Sequence, residues 1–182
     1  MTPRSKNRLI LLLVVALFAA PMGVALLLNM QGWKPEKTRN HGRLIEPPQD
    51  VSAVPVMLRD GSRLVWRDPQ WQWTLLALPG AQCADTCRER LDEALRMRIT
   101  LGRNAERVRI VYLGADSGAD FIAARAPLVA GSDDSNTFAP YRAQASDSLA
   151  LALVDPNGLL ILHYADGYSA AGLREDIVRV LH

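Results

Sequence analysis

Cysteine and histidine are both scarce in this chain of 182 residues: there are two cysteines, Cys83 and Cys87, and three histidines. So few cysteines exclude a disulfide-dense scaffold and leave room for a single thiol site. Aromatic residues make up 6% of the chain, and its 21 Lys and Arg are scattered among 19 Asp and Glu. Without a dense basic face interleaved with aromatics, nucleic acid is not the expected partner. The sequence has no Gly-x-Ser-x-Gly elbow and no phosphate loop. The acidic pieces Asp116 to Asp120 and Asp133-Asp134 lack the ligand order of a calcium loop and read as solvated turns. Low-complexity signatures of disorder are missing too, so the soluble part is expected to fold.

One long apolar run is present. Leu9 to Leu28 carries no charge over 20 residues, the length a helix needs to cross the hydrocarbon core. The competing reading is a cleaved signal peptide, whose apolar region would be about 7 to 15 residues long. Here the run continues past Ala19 and Ala20, and Pro21 sits awkwardly for a cut there, which favours an anchor. Arg4, Lys6 and Arg8 lie immediately beside the run, and a long C-terminal domain translocates largely regardless of its charge. The expected layout is a cytoplasmic tail over residues 1–8, a transmembrane helix over 9–28, a tether with a docking strand over 29–55 and one domain over 56–182. The bacterial inner membrane is then the first partner, with the domain in the periplasm, and Trp33 would mark a membrane interface.

Within the domain, Val54 to Leu58 and Arg63 to Trp66 flank an Arg59-Asp60-Gly61-Ser62 turn and predict a small hairpin. Trp71 to Leu78 is rich in bulky apolar residues and predicts a buried strand ended by Pro79-Gly80. Leu91, Leu95, Met97 and Ile99 recur at roughly helical spacing, predicting a helix that starts at the cysteines and stops near Gly102. Val108 to Leu113 and Leu149 to Val154 predict further strands. Between them, residues 115 to 146 read as mixed loop and helix, with a weakly helical stretch from Phe121 to Leu128. Asn157-Gly158, a pair favoured in two-residue turns, links Leu149 to Val154 with Leu159 to Tyr164, and Ala170 to Leu181 predicts a closing helix. Alternating strands and helices followed by a hairpin give an α/β domain, a mixed sheet flanked by helices in the layout of the thioredoxin fold.

Thiols at a helix N-terminus meet unpaired N–H groups and the positive end of the dipole, which favour thiolate. At a spacing of four, the Cα atoms on a regular helix lie about 6 Å apart, near the upper part of the range a disulfide tolerates. The pair can cycle as a disulfide, or present two sulfurs to a soft ion such as copper(I) with a third ligand from elsewhere. It can also be a structural bridge, although closing so short a loop removes little unfolded-state entropy. His41, His163 and His182 read as surface or strand residues, Met57 and Met97 as core, and Trp66, Trp71 and Trp73 as packing residues.

The chain resembles the Sco/SenC family of membrane-anchored copper and thiol proteins that assist cytochrome c oxidase assembly. The likeness lies in Gly42 to Pro48 after the anchor, Trp73 to Leu76 as the strand, Cys83-Ala84-Asp85-Thr86-Cys87 as the site and Leu153 to Gly158 as the late hairpin. It implies that Cys83 and Cys87 bind copper(I) or cycle as a catalytic redox pair, and that the partner is a cytochrome c oxidase subunit or another assembly factor. The family commonly places a proline after each cysteine, where this chain has Ala84 and Arg88. The family's third copper ligand, a histidine, falls on Asp147 here, and a carboxylate is a hard donor that copper(I) does not favour. Two other readings remain open: a general thiol-disulfide oxidoreductase, and an interaction protein that has kept the fold and lost the metal site.

Overall fold

The computed structural model describes residues 3–31, 39–67, 69–114, 121–122 and 124–181, with the side chains of 3–5 left out. The chain divides into two compact units, Met1–Arg39 and Asn40–His182. The first holds helix α1, Pro3–Met30, whose Lys6–Met30 stretch is long and apolar enough to cross a membrane. Pro21 lies inside it, as prolines do in membrane helices more readily than in soluble ones. The expected places of Trp33, Asp116 to Asp120 and His182 lie outside the described residues.

The second unit is built on β1 (Arg43–Asp50), β2 (Met57–Leu58), β3 (Trp73–Pro79), β4 (Val108–Tyr112), β5 (Val129–Ser132), β6 (Leu149–Val154) and β7 (Leu159–Tyr164), with helices α2 (Asp85–Thr100) and α3 (Ala170–Leu181). The strands form one sheet in the order β1-β7-β6-β3-β4-β5-β2. β3 pairs parallel with β4, and β4 with β5, while the other neighbours are antiparallel. This is the mixed, helix-flanked sheet of the thioredoxin fold.

β3 is the central strand, and its alternation explains the layering. Leu75 and Ala77 point to one face, where they meet Leu91, Ile110, Leu151, Leu173 and Ile177 of the strands and helices. Leu76 and Leu78 point to the other, among Val56, Trp66, Val111, Phe138 and Leu160. A strand buried on both faces reads as a continuous apolar run, as this one does. The second face has loops for cover: the Trp66 indole donates to the Val54 carbonyl at 2.8 Å and packs on Phe138 with ring centroids 5.9 Å apart.

Several expectations change. Within the stretch expected as tether and docking strand, Arg43–Asp50 is an edge strand antiparallel to β7, and Val51 behind it is fully buried. Its Pro47 and Pro48 sit where the register shifts between Leu44 and Gln49, which is the setting an edge strand gives to residues without an N–H. The Val54 to Trp66 hairpin survives as a Met57–Arg63 bridge, with β2 pairing instead to β5. Trp71 is 60% exposed rather than packed, on a backbone with φ 55° that redirects the chain into β3. The β6–β7 turn holds four residues, Asp155 to Gly158, rather than two. Asp155 Oδ1 accepts the N–H groups of Asn157 and Leu159, and Gly158 takes φ 87°.

The start of β1 is fixed by a buried carboxylate. Asp176 of α3 is 1% exposed, and its Oδ2 accepts His41 N–H at 2.8 Å, Gly42 N–H at 2.9 Å and the Tyr164 hydroxyl at 3.1 Å, while Oδ1 faces Arg179 at 3.0 Å. A Cβ on Gly42 would come within 2.7 Å of the Tyr164 ring, so only glycine lets the chain pass. Asp176→Ala leaves those donors unpaired inside the protein and is expected to lower stability by about 3 kcal/mol, read as a fall in the denaturation midpoint. A change below ~1 kcal/mol would show that the clamp is dispensable.

A candidate redox site at the start of helix α2

Pro79 at the end of β3 lies opposite Leu149 at the start of β6, and Leu151 lies opposite Tyr164 at the end of β7. The cysteines therefore emerge at the end of the sheet where β6 begins and β7 finishes. After β3 the chain runs against the 144–148 strap: Gly80 N–H donates to the Ser148 carbonyl at 3.1 Å and Gln82 N–H to the Ser146 carbonyl at 2.9 Å. A Cβ on Gly80 would collide with the Ala145 and Ser146 carbonyls, so the close approach depends on glycine. The far side of the strap is held by Asp166, whose carboxylate accepts the N–H groups of Gln144 and Ala145, the latter at 3.0 Å.

Cys83 and Cys87 are joined as a disulfide with Cα atoms 5.0 Å apart. The separation is shorter than the value on a regular helix because α2 starts at Asp85, between the cysteines rather than at Cys83. Cys87 lies in the first turn and is fully buried, whereas Cys83 precedes the helix and is half-buried. Cys87 belongs to the core, and Cys83 packs against its edge with part of the residue exposed.

The first turn of α2 lacks a cap of its own. Ala84 occupies the N-cap position and carries no side-chain acceptor. Asp147 performs that role from the strap: Oδ1 accepts Ala84 N–H at 2.8 Å and Cys87 N–H at 3.1 Å, and Oδ2 accepts Thr86 N–H at 3.0 Å. These are donors a helix start leaves orphaned. The Cys87 N–H first, with those of Thr86 and Ala84, holds the Asp147 carboxyl below the usual carboxylate range. The resemblance aligned Asp147 with a metal ligand, and the structure places it beside both cysteines as a helix cap.

The other ligand candidates are engaged elsewhere. His41 Nε2 lies 3.0 Å from Glu175, and His163 Nε2 lies 3.0 Å from the Tyr141 carbonyl. Met97 is in the core as expected, and Met57 lies in β2. Among the described residues, no group of three or more His, Cys, Asp or Glu side chains is arranged to hold a metal ion. The two sulfurs suit copper(I), but the third position holds a hard donor already occupied by backbone N–H groups, and that donor set does not fit the ion.

A helix-flanked mixed sheet with a disulfide at the junction of its central strand and the following helix defines a thioredoxin-fold protein. The chain belongs to the family described as transmembrane-like, thioredoxin-like, C-terminal domain, which matches residues 73–182. No curated protein matches. Among solved structures it is similar to yeast Sco1 with copper bound, at 14% identity over 80% of this chain and 94% of that one, with a TM-score of 0.55. Arabidopsis thaliana ScoI with copper bound shares 17% identity over 76% and 96%, with a TM-score of 0.52. BsSco, a member of the Sco family of cytochrome c oxidase assembly proteins in which a disulfide switch was identified, shares 15% over 75% and 97%, with a TM-score of 0.52. At these identities the likeness is one of fold, the fold that the Sco/SenC resemblance implied.

Sequence reasoning missed the cap because its parts lie 60 to 63 positions apart. The local sequence points elsewhere, since Asp85 and Thr86, with Glu89 three residues after Thr86, read as caps of their own, whereas in the fold both lie inside the first turn. His163 gives a test of the neighbouring strand. Burial holds its imidazole below the ordinary value, against the Tyr141 carbonyl, which acts the other way. A depressed histidine is neutral in the fold, so stability is full above about pH 6.5 and declines as pH falls below it, where the unfolded chain takes up the proton first. Melting of the oxidised protein should therefore drop between pH 7.5 and 5, with a smaller drop in His163→Gln. Equal drops in both would assign the pH dependence to other groups.

Proposed function

We propose that this protein is a membrane-anchored, extracytoplasmic Sco-like accessory protein, on the periplasmic side of a bacterial inner membrane, that acts in cytochrome oxidase biogenesis by thiol-disulfide exchange at Cys83 and Cys87. The observation that carries this reading is the asymmetric pair at the start of α2, a partly exposed Cys83 bonded to a fully buried Cys87. The fold shared with BsSco and its disulfide switch supports it, as does the uncharged run Leu9 to Leu28 of α1, which follows Arg4, Lys6 and Arg8. Copper handling, the other activity implied by the resemblance, has weaker support because of the carboxylate at position 147.

Exchange follows from access. A thiolate of a reduced partner attacks Cys83 Sγ, the Cys83–Cys87 bond breaks, and Cys87 leaves with the electron pair and takes up a proton. A second partner thiol then attacks the mixed disulfide and releases Cys83 as a thiol. Two electrons pass from the partner to the pair, which ends as a dithiol while the partner gains a disulfide. Attack at Cys87 is blocked by its burial.

The roles of the sulfurs separate in mutants. In the reverse direction the Cys83 thiolate attacks a partner disulfide, one partner thiol leaves, and Cys87 then attacks the mixed disulfide and releases the other. Cys87→Ser keeps Cys83 and removes this resolving thiol, so mixed disulfides with a membrane partner should accumulate on non-reducing gels. Cys83→Ser should trap none, and replacing both should lower assembled oxidase in a strain that depends on the protein. Normal oxidase levels in the double mutant would sink the proposal. A chain that turned over unrelated disulfide substrates many times would instead be a general oxidoreductase.

A further inference from the structure

The Asp147 carboxylate is spent on the cysteine turn. A carboxylate offers about four lone-pair sites. Here Oδ1 takes the Ala84 and Cys87 N–H groups and Oδ2 takes that of Thr86, so three of the sites hold backbone donors. Nor is the aspartate a free surface side chain. Its backbone neighbours Ser146 and Ser148 accept the Gln82 and Gly80 N–H groups, and Asp166 pins Gln144 and Ala145 just upstream. Two carboxylates thus hold a strap that is fixed to β3's exit on one side and to the cysteine turn on the other.

We propose that Asp147 is a positioning residue: by gathering the backbone donors of the Cys83–Cys87 turn it holds the sulfurs at bonding distance, and by spending its oxygens there it withholds the third donor that copper(I) would need. The inference rests on the thiol-exchange reading and says which of the two implied chemistries the site is built for. Ala84, Thr86 and Cys87 span the loop that the disulfide closes, so tying their N–H groups to one anion narrows the conformations open to the dithiol. That raises the effective concentration of one sulfur at the other and favours the closed form. For the carboxylate to turn to a metal, it would have to release N–H groups that Ala84 has no side chain to satisfy. Its hardness gives copper(I) little in return.

The test uses the full chain in detergent micelles. For the reduced protein, copper(I) is titrated against a coloured chelator in the wild type, Asp147→Ala and Asp147→His. Wild type and Asp147→Ala should agree within about threefold, and Asp147→His should bind roughly 10- to 100-fold more tightly. In parallel, the Cys83–Cys87 pair is equilibrated with oxidised and reduced glutathione. Asp147→Ala should shift it toward the dithiol by about fivefold, the worth of one net hydrogen bond. A purely structural residue would lower melting without moving this equilibrium. If Asp147→Ala does not fold, Asp147→Asn, which keeps the shape and one acceptor oxygen, should move the equilibrium the same way by a smaller factor. The proposal is overturned by a tenfold loss of copper(I) affinity on removing the carboxylate, by wild-type affinity equal to that of Asp147→His, or by an unmoved equilibrium in the variants that fold. Partner trapping by Cys87→Ser needs no change at Asp147, so failure of the exchange reading and failure of the positioning role show in different assays.

Discussion

The helix that carries the cysteines begins without a cap, and the arrangement around the site depends on how that deficit is met. Three N–H groups at the start of α2 face one carboxylate from a segment some 60 residues later in the chain. For that carboxylate to arrive, the strap must run close along β3's exit, which requires Gly80, and must be held from behind, which Asp166 does. A cap of this kind sets the position of Cys83 as well as the stability of the helix, because the disulfide spans the capped turn.

The protein uses the same device twice. Asp176, buried in α3, gathers the N–H groups of His41 and Gly42 as Asp147 gathers those of the cysteine turn. In each case one anion satisfies backbone donors where a segment joins the fold, and the pairing is stronger than between neutral groups. The two sites differ in surroundings. Asp176 is closed in by Tyr164, whose hydroxyl burial holds well above the ordinary phenol range, whereas Asp147 lies beside the partly open Cys83. The first is a closed joint and the second a partly open turn that a disulfide spans.

Elements with a strong period were legible in the sequence. Leu75 to Leu78, Leu149 to Val154 and Leu159 to Tyr164 are strands where their apolar pattern put them, and α3 carries Leu173 and Ile177 into the core. Weak periods hid other elements. β1 contains Pro47-Pro48 and pairs on one edge only, so its pattern reads as tether. β5 is four residues, Val129 to Ser132, in a polar region. The cysteine pair was visible from spacing, but its asymmetry was not, because Cys87 is buried in a core cluster that also draws on Tyr112 and Leu149, which no local window contains. Asp147 was noticed through resemblance, as a ligand position. Its actual bonds depend on a strap geometry that only the folded sheet defines.

A shared fold does not carry a shared donor set. The structures with copper bound resemble this chain at 14% and 17% identity, a level at which the sheet and helix order persist while individual side chains change. In this chain the position that the Sco/SenC resemblance assigns to a third ligand holds the aspartate that caps the helix start. A neutral disulfide tolerates a carboxylate beside it, and the carboxylate supports the turn. A soft metal on two thiolates would meet that same negative charge at close range, and the helix would lose its cap if the aspartate turned to the ion. The local sequence offers no replacement, since Asp85 and Thr86 already lie inside the first turn and Ala84 has no acceptor. In the positioning role proposed for it, Asp147 therefore serves the helix start and the disulfide turn at the expense of a metal.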